Sequence, residues 1–278
     1  MLVFIIPLKS AKVSNSWERV SLLLERTLRS ICHQTCAKYK VIVVCHEKPD
    51  INFNHSNLTY LSVDFPIPTW ERSDDYDTRR IDKQKKIFMG LNYASRFNPT
   101  HVMFVDADDC VSKYLAEFVS QNPQSNGWNF AQGYEYIDGR KNIFLLKKNF
   151  SSRCGTSNIV KYDLVKPEPD FKIDDVYPRW LFHGRYISKQ LRDKGYSLEV
   201  LPFPGAVYII DNGTNIYSQK QIRIQSAHSI YKKTRVYLVD IGKRILLPPL
   251  TDAIREEFGL YDIQALSNAN NKSNLVTK

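Results

Sequence analysis

Two apolar, β-branched segments separated by a helical pattern constrain the fold of this chain more than any other feature. Residues 2–6 (LVFII) form the first segment, which Pro7 closes, and residues 39–45 (YKVIVVC) form the second. Between Trp17 and Cys32, apolar side chains recur at the spacing of one helical face. Strands that are apolar on both faces and joined by a helix are typical of a parallel βαβ unit. The sequence therefore predicts an α/β fold.

The same alternation continues along the chain. Strands are predicted at 58–63 and 101–105, with a helix at 80–96 between them. Beyond these, the pattern predicts one helix at 113–120 and another that begins at 185 and ends before Gly195. It also predicts four strands, at 128–137, 142–147, 197–201 and 206–210. Asp138-Gly139 is a turn signal between the first two of these strands. Helical patterns over 222–258 are interrupted by Pro248-Pro249, and the polar tail at 267–278 is predicted to be disordered.

Size and composition indicate a folded protein with one large α/β domain. The chain has 278 residues, of which 43% are hydrophobic, so it can bury a full core. Its five cysteines are an odd number without a CxxC pair, which argues against a disulfide framework or a zinc site and fits a reducing, cytoplasmic compartment. The first apolar segment is too short for a signal peptide, and no later segment reaches the roughly 18 residues of a membrane span. Any membrane contact is therefore expected to be peripheral.

An excess of positive charge favours anionic partners. The 39 Lys and Arg residues against 29 Asp and Glu residues give a formal net charge of +10, which suits nucleotide phosphates, acidic lipid headgroups or nucleic acid. Because the basic residues are scattered as pairs, a solvated surface explains most of them. The sequence has no zinc-finger, RRM-type or helix-turn-helix signature, so nucleic acid is not the expected partner. A basic C-terminal group is a candidate contact for an anionic membrane: Lys232, Lys233, Arg235, Lys243 and Arg244.

The most informative cluster is the acidic run that follows the apolar residues 101–105. Asp106, Asp108 and Asp109 come directly after this predicted strand, and ligands of open α/β sheets collect at the carboxyl ends of the strands. Three carboxylates within four residues repel one another, and a divalent cation such as Mg²⁺ or Mn²⁺ would neutralise them. The alternative from spacing alone is the start of a helix, with Asp108 or Asp109 as its N-cap.

Five sequence blocks in order resemble the family 2 type of GT-A glycosyltransferases over about the first 120 residues. They are VFIIPLKS; Leu28-Arg29-Ser30-Ile31 with Gln34-Thr35; YKVIVVC; a Lys-rich helix with Gly90 and Ala94; and FVDADD. The resemblance implies a GT-A fold, a mixed sheet flanked by helices, with a smaller C-terminal helical extension. It also implies a nucleotide-sugar donor, with UDP favoured by the habit of the family, and a Mn²⁺ or Mg²⁺ cofactor.

The resemblance assigns roles to several positions. Asp106 and Asp108, with Ala107 between them, match the residues that contact the ribose and the metal, and Asp109 assists. Glu47 takes the place of the acidic residue that holds the base in this family. Residues expected beside the nucleotide or its diphosphate are Pro7, Leu8, Lys9, Arg80 and Lys83, although a solvated surface is the alternative for the last two. The turn Cys154-Gly155-Thr156-Ser157 resembles the small-residue turn beneath the donor sugar and the acceptor.

The catalytic base is less clearly marked in the sequence. Inverting transfer, the expected outcome, needs a group that removes the proton of the acceptor hydroxyl. The family's acidic pair is absent from its usual spacing before Gly195, where His183-Gly184 stands instead. Asp175 or Asp174 is therefore the candidate base and His183 its competitor, with helix capping as the alternative role for the two aspartates. A retaining mechanism becomes possible if none of the three serves.

Two further sets of residues are candidates for the site. Asp211 is a candidate further metal ligand, although Asp211-Asn212-Gly213 is also strong turn chemistry, and His228 is a distant second choice. Four aromatic residues are candidates to stack on a sugar, with a place in the core as the alternative: Trp70, Trp128, Tyr134 and Trp180.

These observations predict a domain at 1–220, with a nucleotide-binding half (1–120) and an acceptor-binding half (121–220), then a helical extension (221–266) and the tail. A non-processive transferase acting on a glycan or lipid-linked acceptor is favoured, because the chain lacks the Gln-x-x-Arg-Trp pattern of processive synthases. A nucleotidyltransferase is disfavoured by the absence of glycine in PLKSAKVSNS. A glycosyltransferase-like protein that binds without catalysing is the remaining alternative.

Overall fold

The computed structural model describes residues 1–67, 76–168, 170–173, 186–213 and 248–263. Within these ranges lie eleven strands: β1 (Leu2–Pro7), β2 (Tyr39–Cys45), β3 (Leu58–Ser62), β4 (His101–Phe104), β5 (Cys110–Val111), β6 (Gly127–Asn129), β7 (Gly133–Ile137), β8 (Ile143–Leu146), β9 (Asn158–Lys161), β10 (Glu199–Val200) and β11 (Ala206–Ile210). The same ranges contain five α-helices: α1 (Trp17–Ile31), α2 (Tyr76–Ala94), α3 (Leu115–Gln121), α4 (Ile187–Asp193) and α5 (Asp252–Phe258).

Seven of the strands form one mixed sheet in the order β3-β2-β1-β4-β9-β6-β10. β1 pairs in parallel with both β2 and β4, whereas β9 runs antiparallel to its neighbours β4 and β6. The chain leaves β1 through α1 to reach β2 on one side, and later returns through α2 to place β4 on the other side. This arrangement confirms the predicted α/β fold, a mixed sheet flanked by helices.

The apolar character of β1 follows from its position between two helical layers. Leu2, Phe4 and Ile6 contribute to the core on one face, together with the apolar side of α1. Val3 and Ile5 contribute to the core on the other face, which α2 covers. Each fully buried side chain of this kind stabilises the fold by about 1.5–3 kcal/mol relative to an exposed one. The prediction of a strand buried on both faces is therefore confirmed.

A second, four-stranded sheet has the order β5-β11-β7-β8. Its first strand, β5, comes directly after the acidic run and pairs antiparallel with β11. The sequence pattern predicted a single strand at 128–137, and that prediction was wrong. Residues 127–129 belong to the main sheet and residues 133–137 to the second one, because the chain crosses between the two sheets at residues 130–132.

Residues 248–263 pack against the second sheet. Leu250, Phe258 and Leu260 are buried there, in a cluster that also contains Val207 and Ile209 of β11. The other residues predicted for the helical extension lie largely outside the described ranges, as do the tail and the basic C-terminal group. No helix in the described part of the chain is long and apolar enough to span a bilayer.

Candidate functional site

The predicted nucleotide-binding residues meet at one edge of the main sheet. β1 lies between β2 and β4, so the carboxyl ends of β1 and β4 flank the point where the chain switches sides, which is where α/β sheets hold ligands. Pro7 ends β1, and the backbone N–H of Leu8 still donates to Val44, 2.9 Å away. On the adjacent strand, the N–H of Val105 donates to the carbonyl of Ile5 over 3.0 Å, and the acidic run starts one residue later.

Asp106 connects three parts of the chain. Its backbone N–H donates to Thr156 Oγ1 over 2.9 Å, and its carboxylate forms an ion pair with Lys83 of α2. Gly155 lies so close that a Cβ atom there would stand 2.7 Å from Asp106 Oδ2. The structure thus brings together the predicted aspartate, the predicted lysine and the small-residue turn at 154–157.

Asp108 receives a hydrogen bond that the sequence did not predict. Asn212 Nδ2 donates to Asp108 Oδ2 over 2.8 Å. Burial and the nearby charge of Asp106 raise the pKa of Asp108, while the Asn212 bond and the charges of Lys83 and Lys9 act in the opposite direction. Asp108 is therefore a carboxylate held close to both positive and negative charge.

Asp109 faces the interior. Its carboxylate accepts hydrogen bonds from Thr156 Oγ1 (2.6 Å), Cys154 Sγ (3.2 Å) and the backbone N–H of Ile209 (3.2 Å). Burial, followed by the charges of the two neighbouring aspartates, raises its pKa well above the usual value. The residue leads into β5 and not into a helix, so the interpretation of Asp108 or Asp109 as a helix N-cap is wrong. The contacts of Asp109 fix the acidic loop to the turn at 154–157 and to β11.

Positively charged side chains lie close to Asp106 and Asp108. Burial lowers the pKa of Lys9, with Asp108 opposing this effect and the charge of Arg79 adding to it. Burial also acts to lower the pKa of Lys83, but the charge of Asp106 and its two neighbouring aspartates outweighs it, so that this pKa lies above its usual value. Arg80 lies on α2, just before Lys83 in the sequence. Lys9, which follows β1, and Lys83 of α2 therefore lie close to the acidic loop.

Glu47 and Asp211 have other surroundings. Glu47 accepts from Ser10 Oγ (2.8 Å) and from the backbone N–H of Ala11 (3.1 Å), so it anchors the segment that follows β1. Asp211 is exposed and has a positive φ of 55°, in the turn that ends β11. Its neighbour Asn212, and not Asp211, is the residue that bonds to Asp108.

Of the aromatic residues considered as sugar contacts, Trp128 belongs to the core and Tyr134 is partly buried against it. Trp128 is buried and packs against His101 and Phe118. Tyr134 packs against Phe258, with ring centroids 5.5 Å apart. Burial therefore rules out sugar stacking for Trp128, whereas for Tyr134 it stays a prediction. Several predicted residues lie outside the described ranges: Trp70, Asp174, Asp175, Trp180, His183 and His228.

The acidic loop can supply two carboxylates to a cation. Within the described ranges, no three or more His, Cys, Asp and Glu side chains form a group that could hold a metal ion. A Mg²⁺ site of one or two carboxylates completed by phosphate oxygens needs no such group. Asp106 and Asp108 fit a site of that kind, whereas the oxygens of Asp109 accept hydrogen bonds inside the protein.

The acidic loop lies at the switch point of the mixed sheet, close to Lys9 and Lys83. No family model and no curated protein matches the sequence. Among solved structures, the chain is similar to S. aureus TarS 1–349 in complex with UDP, at 16% identity and a TM-score of 0.43 over 84% of this chain and 68% of that one.

Two other solved structures show similarity at the same low level. The Francisella tularensis 2-C-methyl-D-erythritol 4-phosphate cytidylyltransferase (IspD) has 13% identity and a TM-score of 0.42 over 81% of this chain and 97% of that one. HddC from Yersinia pseudotuberculosis has 12% identity and a TM-score of 0.35 over 75% and 88%. At these values the similarity says nothing about activity, which has to be argued from the site.

Proposed function

We propose that this protein is a glycosyltransferase that uses a nucleotide-sugar, UDP-linked by preference, and Mn²⁺ or Mg²⁺ to modify a glycan or lipid-linked acceptor. The observation that carries the proposal is the convergence of Asp106 and Asp108 with Lys9 and Lys83 at the switch point of the sheet. Carboxylates suit a divalent cation, and lysines suit a diphosphate. A nucleoside diphosphate with its cation needs both.

The proposed roles follow from these positions. Pro7 and Leu8 at the end of β1 would border the nucleoside, while Lys9 and Lys83 would contact the diphosphate, with Arg80 nearby. Asp106 and Asp108 would hold the cation, which supplies charge neutralisation for the departing diphosphate. Lys83 already pairs with Asp106, so it can pass from the carboxylate to a phosphate oxygen without leaving the site. Fixed positive charge placed where negative charge develops lowers the barrier to transfer.

The acceptor side is proposed from the sequence. Removal of the proton from the acceptor hydroxyl is assigned to Asp175 or Asp174, with His183 as the competitor. The turn at 154–157 supports this side of the site through Gly155, whose lack of a side chain leaves room beside Asp106. A further metal ligand from Asp211 is less well supported, because Asn212 makes the contact with Asp108.

Isothermal titration of UDP, GDP, dTDP and uridine, with and without MnCl₂, tests the donor site. We expect one diphosphate to bind in a Mn²⁺-dependent way, and Asp108→Asn to weaken that binding about tenfold or more. Lys83→Met is expected to weaken UDP binding more than uridine binding, because it removes a diphosphate contact. Asp163 and Lys166 form an exposed ion pair elsewhere in the chain, so Asp163→Asn and Lys166→Met are the matched controls.

The outcomes separate the alternatives. Absence of binding by all four ligands would rule out the donor site. Binding without release of UDP from any UDP-sugar, in the presence of lipid and glycan acceptors, would identify a protein that binds but does not catalyse. Release of pyrophosphate from CTP or UTP, in place of UDP from a sugar donor, would identify a nucleotidyltransferase.

A further inference from the structure

A chain of polar contacts leads from the acidic loop through the turn after β11 to α1 and to the turn between β7 and β8. Its first member is Asn212, which is buried and uses its side-chain amide to hold Asp108. Asn212 Nδ2 lies 2.8 Å from Asp108 Oδ2 and 3.3 Å from the carbonyl oxygen of Ile209. An amide is a neutral donor, so it fixes the direction of the carboxylate without cancelling its negative charge.

The second member is Arg19, in the first turn of α1. Its Nε donates to the backbone carbonyl of Asn212 over 3.0 Å, and its Nη2 contacts Asp138 Oδ2 at 2.5 Å. Arg26, one of the largest fully buried side chains, contacts the other oxygen of Asp138 at 2.6 Å. Asp138 thus binds two guanidinium groups of the same helix, which holds the turn between β7 and β8 against α1.

The turn that carries Asn212 depends on such anchors. Asp211 adopts a left-handed backbone conformation with a φ of 55°, which is uncommon for residues other than glycine. The backbone N–H of Asp138 donates to the carbonyl of Ile210 over 3.4 Å, so the β7–β8 turn holds one side of this segment. Arg19 holds the other side at Asn212. The position of the Asn212 amide is therefore set by residues that do not touch Asp108 themselves.

We propose that Arg19 and Asp138 are positioning residues that act through Asn212 to orient the Asp108 carboxylate for a divalent cation and its nucleoside diphosphate. The inference rests on the proposed function, which it deepens. Side chains that orient a ligating carboxylate commonly change metal affinity 10–100-fold when they are altered. The sequence marks Asp138 only as part of a turn and does not mark Arg19, because Arg19 lies 193 residues from Asn212 and 119 residues from Asp138.

Arg19→Lys is the decisive variant. A lysine keeps the charge, but its single ammonium group cannot reproduce two donors that point to different partners. Arg29→Lys is the matched control: Arg29 lies on the same helix, has the same 32% side-chain exposure, and likewise joins a carboxylate, Glu25, to a backbone carbonyl. Both variants are expected to melt at similar temperatures, since each replaces one partly exposed guanidinium by an ammonium that keeps the charge.

The readout is the MnCl₂ concentration that gives half-maximal UDP binding in isothermal titration. We expect this concentration to rise about tenfold or more in Arg19→Lys and to stay at the wild-type value in Arg29→Lys. Equal values in the two variants would overturn the proposal. Asn212→Asp replaces the hydrogen-bond donor by a second carboxylate. We expect it to weaken Mn²⁺-dependent UDP binding. Tighter Mn²⁺ binding by this variant would instead mean that residue 212 ligates the metal directly, which would overturn the positioning role.

A crystal structure of Arg19→Lys separates this inference from the proposed function, because it needs no ligand. Displacement of the Asn212 amide from Asp108 is the expected result. An Asn212 amide still within hydrogen-bond distance of Asp108 would overturn the positioning role whatever the wild-type protein binds. Failure of the wild-type protein to bind UDP would count against the donor site alone.

Discussion

Gly155 leaves open the space that the carboxylate of Asp106 occupies. A methyl group at this position would stand 2.7 Å from Asp106 Oδ2, inside any normal contact distance. We therefore expect Gly155→Ala to displace the carboxylate and to weaken Mn²⁺-dependent UDP binding about tenfold or more, as measured by isothermal titration.

Gly195→Ala is the control for the effect of an added methyl group. Gly195 has a φ of +89° and nothing near its Cβ position. Its substitution is expected to cost about 1 kcal/mol of stability through backbone strain, with no loss of UDP binding. Wild-type UDP binding by Gly155→Ala would show that Asp106 does not need its present position.

His101 gives a residue-scale prediction about pH. The side chain is buried at the start of β4, with Nε2 3.0 Å from the carbonyl of Ser125, and burial lowers its pKa to about 4. The unfolded imidazole takes up a proton below about pH 6.5, so protonation favours unfolding as the pH falls from 6.5 towards 4. Stability is therefore highest above about pH 6.5, and the loss grows as the pH falls, to roughly 3 kcal/mol near pH 4.

Urea unfolding at pH 7 and at pH 4.5 measures this contribution. We expect the difference in unfolding free energy between the two pH values to shrink in His101→Gln. It should persist in His33→Gln, because His33 is exposed. An unchanged pH dependence in His101→Gln would show that other groups are responsible for it.

The residues of the site were predictable to different extents. Asp106 and Asp108 could be recognised because they follow an apolar strand, and the carboxyl end of such a strand faces the ligand. Asn212 and Thr156 contact the same loop from 104 and 50 residues away. Asn212 is part of an ordinary turn sequence, and its contact depends on how β11 is paired, which no local pattern specifies.

At the scale of elements, Gly90 determines how closely α2 approaches the sheet. A Cβ atom at this position would lie 2.5 Å from Ile5 Cγ2 and 3.2 Å from Val44 Cγ2. Alanine would favour the helix by about 1 kcal/mol, but overpacking against two β-branched side chains costs about 1–3 kcal/mol. We expect Gly90→Ala to lower the free energy of unfolding, as measured by urea denaturation.

Asn92→Ala is the matched substitution on the same helix. Asn92 is exposed, so the change should be neutral or slightly stabilising through helix propensity. A Gly90→Ala protein as stable as Asn92→Ala would contradict the close packing of α2 on β1 and β2.

The elements that could be predicted are those with strong, uniform patterns. β2 and β11 occupy the predicted residues, and α1 ends within one residue of the prediction. The pattern at 128–137 failed because apolar and aromatic residues continue through Phe130, which is buried in the core between the two strands. A run of apolar residues in the sequence indicates that they are buried, but it does not indicate that the chain passes from one sheet to another.

At the scale of the whole molecule, the second sheet and residues 248–263 pack next to the acidic loop and hold it in place. β5 begins one residue after Asp109 and pairs with β11, whose Ile209 N–H binds the carboxylate of Asp109. Ser112 Oγ donates to Glu257 of α5 over 2.8 Å. The C-terminal segment is thus joined to the part of the chain that carries the candidate site.

Phe258 tests whether this segment is an integral part of the fold. Its side chain is fully buried in the cluster beneath the second sheet. Replacement of a buried phenylalanine by alanine typically costs about 3–5 kcal/mol, a large share of the roughly 5–15 kcal/mol that stabilises a domain. We expect Phe258→Ala to lose that amount in urea unfolding, whereas Tyr261→Ala, at a side chain 47% exposed, should lose less than about 0.5 kcal/mol. A loss below about 1 kcal/mol for Phe258→Ala would mean that residues 248–263 can detach without destabilising the remainder of the fold. In that case β11 alone would hold the acidic loop in place.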